Sequence, residues 1–470
     1  MRVPSLLLGP LLALIGLVQA RSSTGDRVLV VLETSVKKDD YSKFWKSLQD
    51  RGFELTFKEP KDKDADLVTF GELKYDHLVM FAPGTKSFSP SLSPKSILHA
   101  QFAGLNTLYF LSPDLTENNK EFFREYDIEF IDSSNTLIDT FSYPADYTPS
   151  DVLLSPSSSL IGNGEIVSPS TTSGGPIIYP SGTVFTTGEN PYLIDVLHAS
   201  KTSYIGQNKI LSSDEAEVEK SVSGNNRNSR EPILNGKKAS LVSALQTRDN
   251  ARVGFVGSSE MVKDTWWNKE VKTTDGKSHT TGNAEFISDF SKWIFQETGV
   301  VKIVDSTHHR KGESEPRELY TKKDEITFSL TLAKHYTTSN GTSAWGPFEV
   351  EDLQLDFTML DPHVRTALIQ DKSAAVAQGT NYKAKFIAPD RHGVFKFVVE
   401  YWRPGWSYIR LSTTASVVPL RHDEYPRFIV GAWPYYVGAC STSVTFLIFC
   451  ALWVSLGEGD RDRKGKKKAE

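Results

Sequence analysis

At 470 residues the chain is longer than one ordinary domain and has material for several cores. Hydrophobic residues make up 39% and charged residues 24%, with a formal net charge of -5, which gives no basis for nucleic acid as the main partner. Its two cysteines, Cys440 and Cys450, both lie near the carboxyl end, so the body of the chain can hold no disulfide, cysteine nucleophile or cysteine-based zinc site.

Residues 1–20 carry Arg2, an apolar run from Leu6 to Val18, and then Val18-Gln19-Ala20. This is the pattern of a secretory signal peptide, with cleavage expected between Ala20 and Arg21. From there to about residue 300, short β-branched runs alternate with helical spacing. "RVLVVLE" (27 to 33) reads as a strand, "DYSKFWKSLQDRG" (40 to 52) as a helix with Phe44, Trp45 and Leu48 on one face, and "FELTF" (53 to 57) as a strand. The alternation continues through "YDHLVMFAP" (75 to 83), "SPKSILHAQFAG" (93 to 104), "NTLYFLS" (106 to 112) and "LTENNKEFFREY" (115 to 126). Such order predicts an α/β domain over 21–300 with a mostly parallel, doubly wound, flavodoxin-like sheet. The Ser-, Pro- and Gly-rich stretch 147–175 reads as a long surface excursion, and 219–232 as a second polar break.

The strand ends offer little ligand chemistry. No G-x-G-x-x-G follows the first strand, where Glu33-Thr34-Ser35 stands instead. Gly257-Ser258-Ser259 lacks the G-x-S-x-G of a nucleophile elbow and reads as the entry to a helix. Adjacent His308 and His309 would point to opposite faces of a strand, which argues against a shared metal site. Asp62, Asp64 and Asp66 sit in a lysine-containing loop without the glycine and distal glutamate of an EF-hand. No catalytic residue, cofactor site or metal site is expected.

Beyond residue 318 the period becomes two, with Ile326, Phe328 and Leu330, then Leu353, Leu355 and Phe357, then Phe395, Phe397 and Val399 facing one side. A membrane-proximal antiparallel β-sandwich over 301–427 follows. Within it, "YWRPGWSY" (401 to 408) gathers Tyr401, Trp402, Trp406 and Tyr408 around a Pro-Gly turn, suited to core packing, a subunit interface or glycan contact. Trp266 and Trp267 carry the same alternatives. Asn340-Gly341-Thr342 is a candidate N-glycosylation sequon.

No charge falls between Arg427 and Glu458, and residues 433–456 predict one transmembrane helix, since twenty residues rise about 30 Å. Trp433, Tyr435, Tyr436 and Trp453 suit the two membrane interfaces, and Gly438, Ser441 and Thr445 suit close packing against another helix. Lysines and arginines crowd the tail 457–470, which places it on the cytosolic side of a single-pass type I protein. Lys467 and Lys468, three and four positions from the end, match a dilysine address for retrieval to the endoplasmic reticulum.

The stretches "YDHLVMFAP", "NARVGFVGSSEM" (250 to 261), "WIFQETGV" (293 to 300) and above all "VVPLRHDEYPRFI" (417 to 429) running into "AWPYY" (432 to 436) resemble the WBP/DDOST family of oligosaccharyltransferase subunits, of fungal type. The resemblance spans essentially the whole chain. It implies a noncatalytic but structurally required subunit of a complex that transfers a preassembled glycan from dolichyl diphosphate to asparagine in Asn-x-Ser/Thr. The implied partners are the catalytic transferase subunit, a ribophorin-II/SWP-like subunit, a DAD-type subunit and the membrane, with contact to the lipid-linked oligosaccharide. The alternatives are a luminal glycan-binding receptor and an independent glycan-processing enzyme.

Overall fold

A computed structural model of the chain describes residues 21–131, 135–207, 234–273, 276, 278–338, 342–372 and 379–466, with the side chains of 135, 206, 207 and 457–466 outside that description. The expected break at 219–232 lies outside the described residues.

Strand β1 (Arg27–Leu32) leads to helix α1 (Ser42–Asp50) and strand β2 (Glu54–Lys58). The alternation repeats in β3 (His77–Phe81), α2 (Pro94–Phe102), β4 (Asn106–Phe110) and α3 (Glu117–Arg124). Ser93 caps α2 by accepting from the Ser96 backbone N–H, and Pro94 follows at the first helical position, where its missing N–H costs nothing. Then come β5 (Ile128–Phe130), β6 (Phe185–Thr187), β7 (Leu193–His198), β8 (Ser240–Gln246), β9 (Arg252–Val256) and α4 (Asn283–Ile294).

The main sheet runs β2-β1-β3-β4-β9-β8-β6-β5, with β7 added beside β8. Strands β2, β1, β3, β4 and β9 are mutually parallel. The remaining strands form an antiparallel flank, so the sheet is mixed where a mostly parallel one was expected. Alternation along the strands sends side chains to opposite layers. Val28 and Val30 pack with Phe44, Trp45 and Leu48 of α1 and with Phe286, Phe290 and Trp293 of α4. Leu29 and Val31 pack with Ile97 and Ala100 of α2 and with Phe122 and Phe123 of α3. Each such fully buried side chain stabilises the fold by about 1.5–3 kcal/mol before entropy is counted.

The stretch 147–175 is not a mere surface excursion. Val152, Leu154, Leu160, Ile166 and Val167 all join the core beneath α1 and α4. They are spaced too irregularly among serines and prolines to show a period.

The carboxyl-side domain comprises β10 (Val301–Arg310), β11 (Leu319–Thr321), β12 (Glu325–Thr337), β13 (Ser343–Pro347) and β14 (Gln354–Thr358). It continues through β15 (His363–Ala367), β16 (Ile369–Gln370), β17 (Thr380–Ile387), β18 (Gly393–Tyr401) and β19 (Ile409–Val418). One sheet is β10-β12-β17-β16 with β13 beside β12, and the other is β11-β19-β18-β14-β15. Both feed a single core in which Phe328 stacks on Phe397 at 5.3 Å and Phe357 on Phe395 at 4.7 Å. Helix α5 (Trp433–Lys466) follows a 3-10 turn at Val430–Ala432, and together they give an apolar segment, Val430–Leu456, long enough to cross a membrane, with none of it buried against the rest of the chain.

Candidate functional site

The carboxyl ends of the parallel strands, where open α/β sheets hold ligands, are filled by structural contacts. The Glu33 carboxylate accepts from the Gly84 N–H at 3.1 Å. Ser258 donates to the Pro180 carbonyl, and Ser259 begins only a short 3-10 turn, Ser259–Val262, where entry to a helix was expected. Gly257 has no room for a side chain, because a Cβ there would lie 2.3 Å from the Tyr179 hydroxyl. Between α2, α3 and the sheet lies an apolar cavity of only about 20 Å³, lined by Leu92, Ile97, Tyr109 and Phe122 among others. That is space for about one water.

At the opposite end of the sheet, the residues that follow the expected cleavage point are docked. Ser22 donates to the Phe295 carbonyl at 2.7 Å, and the Ser23 N–H donates to Gln296 at 3.2 Å. Behind them the fully buried His77 places Nε2 3.1 Å from the Gly25 carbonyl and Nδ1 3.3 Å from the Asn106 amide nitrogen. This suits a neutral imidazole with its proton on Nε2. Burial pulls its pKa down to about 4. Nearby, Arg51 and Glu297 form a buried ion pair at 2.7 Å, 5% and 3% exposed. Desolvation pushes the Glu297 carboxyl up and the Arg51 guanidinium down, each opposed by its partner's charge.

The aromatic turn at 401–408 lies at the seam between the two domains. Tyr401 is buried in the β core, edge-on to Phe348 at 6.0 Å. Trp402 meets Tyr192 at 5.3 Å, and Trp406 meets Phe348 at 4.8 Å beneath the Lys334 ammonium at 4.5 Å. The turn's own backbone supplies the bonds across the seam. Trp293 Nε1 donates to the Gly405 carbonyl at 2.8 Å, Asn163 to Pro404 at 2.7 Å, and Gln246 to Trp406 at 2.8 Å. Asn250 and Tyr408 exchange two bonds, at 2.6 and 3.0 Å. Gly299 stands at φ +68°, where a Cβ would come within 2.1 Å of the Gly405 carbonyl oxygen.

Arg252 braces the amino-terminal side of this seam and reaches across it to the Ser407 hydroxyl at 3.5 Å, and no motif in the sequence marks it out. Its guanidinium is fully buried, stacks on Trp293 at 4.4 Å, and donates to the carbonyls of Trp293, Thr298 and Gly299 at 2.6, 2.7 and 2.7 Å. These carbonyls belong to the end of α4 and the segment after it, where a helix leaves its last acceptors unsatisfied. Burial lowers the Arg252 pKa to about 9, so the charge persists at neutral pH.

Trp266 and Trp267 are both buried, Trp266 with its ring 4.9 Å from Tyr147 and 4.8 Å from the Lys269 ammonium. His308 and His309 diverge along β10, with His308 buried. Among the described residues no group of three or more His, Cys, Asp or Glu is placed to hold a metal ion. In α5, Gly438, Ser441 and Thr445 share one face by their spacing of three and seven. Ser441 donates to the Gly438 carbonyl at 2.9 Å and Thr445 to the Ser441 carbonyl at 2.8 Å, so these hydroxyls carry no unpaired donor into an apolar medium. Ala20, Asn340, Lys467 and Lys468 lie outside the described residues, and Arg21 is the first residue within them.

Among the described residues, a mixed α/β domain, a two-sheet domain docked on it and one exposed apolar helix are consistent with a membrane-anchored protein. The profile described as "OST48, N-terminal domain" matches residues 19–297, and that of the "OST48 middle domain" matches residues 308–457. The zebrafish Danio rerio protein named "Dolichyl-diphosphooligosaccharide--protein glycosyltransferase 48 kDa subunit" is 32% identical over 442 residues, covering 93% of each chain. The Caenorhabditis elegans protein of the same name is 30% identical, covering 97% of each chain. The Schizosaccharomyces pombe "Dolichyl-diphosphooligosaccharide--protein glycosyltransferase subunit wbp1" is 33% identical, covering 93% of each chain. The chain belongs to the OST48 family.

Proposed function

We propose that this chain is a subunit of oligosaccharyltransferase, the complex that moves a preassembled glycan from dolichyl diphosphate to asparagine during protein N-glycosylation. The observation that carries this is the match of both family domains along the chain, together with relatives named as that subunit.

In this reading the chain takes no part in bond making and contributes architecture to the complex. Support comes from the sequence, whose strand-end loops carry neither a phosphate-binding glycine pattern nor a nucleophile elbow. The amino-terminal domain is flavodoxin-like in the order of its parallel strands, the carboxyl-side domain is a β-sandwich, and both stand in the lumen of the endoplasmic reticulum. Helix α5 crosses the membrane once with its basic end in the cytosol, and Lys467 and Lys468 supply a retrieval address. Partners are the catalytic transferase subunit and the ribophorin-II/SWP-like and DAD-type subunits, met through Gly438, Ser441 and Thr445 and through exposed parts of the luminal body.

Affinity capture of the tagged full chain in mild detergent tests the assignment. Coelution of the catalytic transferase subunit is expected. Recovery of the chain alone, with glycan-hydrolysing or glycan-binding activity of its own, would overturn it.

A further inference from the structure

A groove of about 580 Å³ opens between edge strand β10 of one carboxyl-side sheet and β19 of the other, lined by His308, Arg317, Glu318, Thr413, Thr414 and Ser416 among others. Its size falls within the range of about 300–1,000 Å³ typical of ligand sites.

One wall is built with care. His308 is 8% exposed, its ring stacked on Phe397 at 4.5 Å and its Nδ1 held 2.8 Å from the Tyr320 hydroxyl. With Nδ1 engaged and the ring pinned, Nε2 is the imidazole atom left for the groove, and it has no hydrogen-bond partner among the described residues. That nitrogen is open to the groove rather than sealed in the core, so it can pair with whatever fills the groove, water or ligand.

The remaining groups narrow the ligand. Along β19 Thr413 lies opposite Phe397 and so shares the face of His308, while Thr414 and Ser416 alternate to the other face; the Thr413 hydroxyl donates and accepts, Arg317 only donates, and Glu318 only accepts. Arg317 is paired with Glu313 at 2.6 Å, so no unpaired cation favours phosphate, and the one remaining carboxylate, Glu318, is fewer than the several oxygen ligands a hard cation takes. A largely polar lining disfavours an apolar tail. A neutral molecule dense in hydroxyl groups fits, because each of its hydroxyls can both donate and accept.

We propose that this groove is a carbohydrate subsite that takes a neutral segment of an oligosaccharide. The proposal rests on the assignment of the chain to a glycan-transferring complex and adds where this subunit touches the sugar. The lipid-linked donor and a glycan already on protein offer the same chemistry.

The test is binding of a neutral high-mannose oligosaccharide to the purified full chain in detergent, read by saturation-transfer NMR and titration. The wild type is expected to bind. Arg317→Met with Glu318→Gln, both at the surface, and His308→Phe, which keeps the stack on Phe397, are each expected to weaken binding about tenfold or more. No binding by the wild type, or unchanged affinity in the surface double variant, would overturn the proposal. Capture of the transferase subunits by the same variants is scored separately. If capture persists while sugar binding is absent, the subsite fails and the subunit assignment stands. Within the assembled complex, a raised KM for the lipid-linked donor in the variants identifies the donor as the source. An unchanged KM, with binding to the free sugar still lost, identifies protein-linked glycan.

Discussion

Replacing Arg252 by methionine tests whether one buried cation fixes the amino-terminal face on which the carboxyl-side domain docks. The guanidinium makes three bonds of 2.6–2.7 Å to backbone carbonyls. A hydrogen bond to a charged group contributes about 1.5–3 kcal/mol net, while a carbonyl left buried without a donor costs about 1–3 kcal/mol. Methionine preserves much of the contact with Trp293 and removes the desolvation cost of the charge, which offsets part of that sum. A loss of about 3–5 kcal/mol is expected for R252M. Arg252→Lys, which keeps the charge but cannot span the three acceptors with a planar fork, is expected to lose about half as much. Denaturant titration of the full chain in detergent is followed by the fluorescence of its nine tryptophans, Trp293 and Trp406 at the seam among them. Limited proteolysis reports whether the two domains separate. A loss below about 1 kcal/mol for R252M, with unchanged proteolysis, would refute the keystone role.

Four further outcomes follow from the geometry. His77, held neutral with a pKa of about 4 against 6.5 in the unfolded chain, binds its proton only when unfolded across that window. Stability is therefore full above pH 6.5 and falls by up to roughly 3 kcal/mol as the pH drops to 4. His77→Gln is expected to flatten this part of the thermal-stability profile, and an unaltered slope would discount His77 as its source. Gly299→Ala forces a Cβ to 2.1 Å from the Gly405 oxygen at φ +68°, so a loss above about 2 kcal/mol is expected by the same titration. Gly438→Leu with Ser441→Leu is expected to abolish capture of partner subunits while leaving the proteolytic pattern of the body unchanged; intact capture would remove this helix face from the interface. Lys467→Ser with Lys468→Ser is expected to let unassembled chain leave the endoplasmic reticulum, scored by Golgi modification of its glycans or of an added acceptor site, and full retention would show that the dilysine is dispensable.

Much of the architecture is local and so could be read from the chain. Phe44, Trp45 and Leu48 of α1 face the core as their spacing requires, and so do Phe395, Phe397 and Val399 of β18. The antiparallel flank could not be read, because Ser240–Gln246 is buried at every position and its composition does not say which way it runs. The seam was half visible. The tryptophans of 401–408 announced a contact, but their partners lie far away in sequence, and the short bonds of Arg252 go to backbone carbonyls, which leave no trace in residue identity. The groove beside His308 depends on the separation of two sheets, and no spacing of residues encodes that.

The seam also orders events during synthesis. The indole of Trp293 finds its acceptor only in Gly405, and Gln246 and Asn250 find theirs in Trp406 and Tyr408. A growing chain that has emerged as far as residue 300 therefore holds an amino-terminal domain with open bonds along one side. Closure waits until the turn at 401–408 has emerged, when only the stretch from Ile409 to Ala432 separates it from the apolar helix. The last act of folding and the threading of the anchor thus fall close together in time, and a chain stalled or cut between them presents an unfinished edge to the chaperones around it.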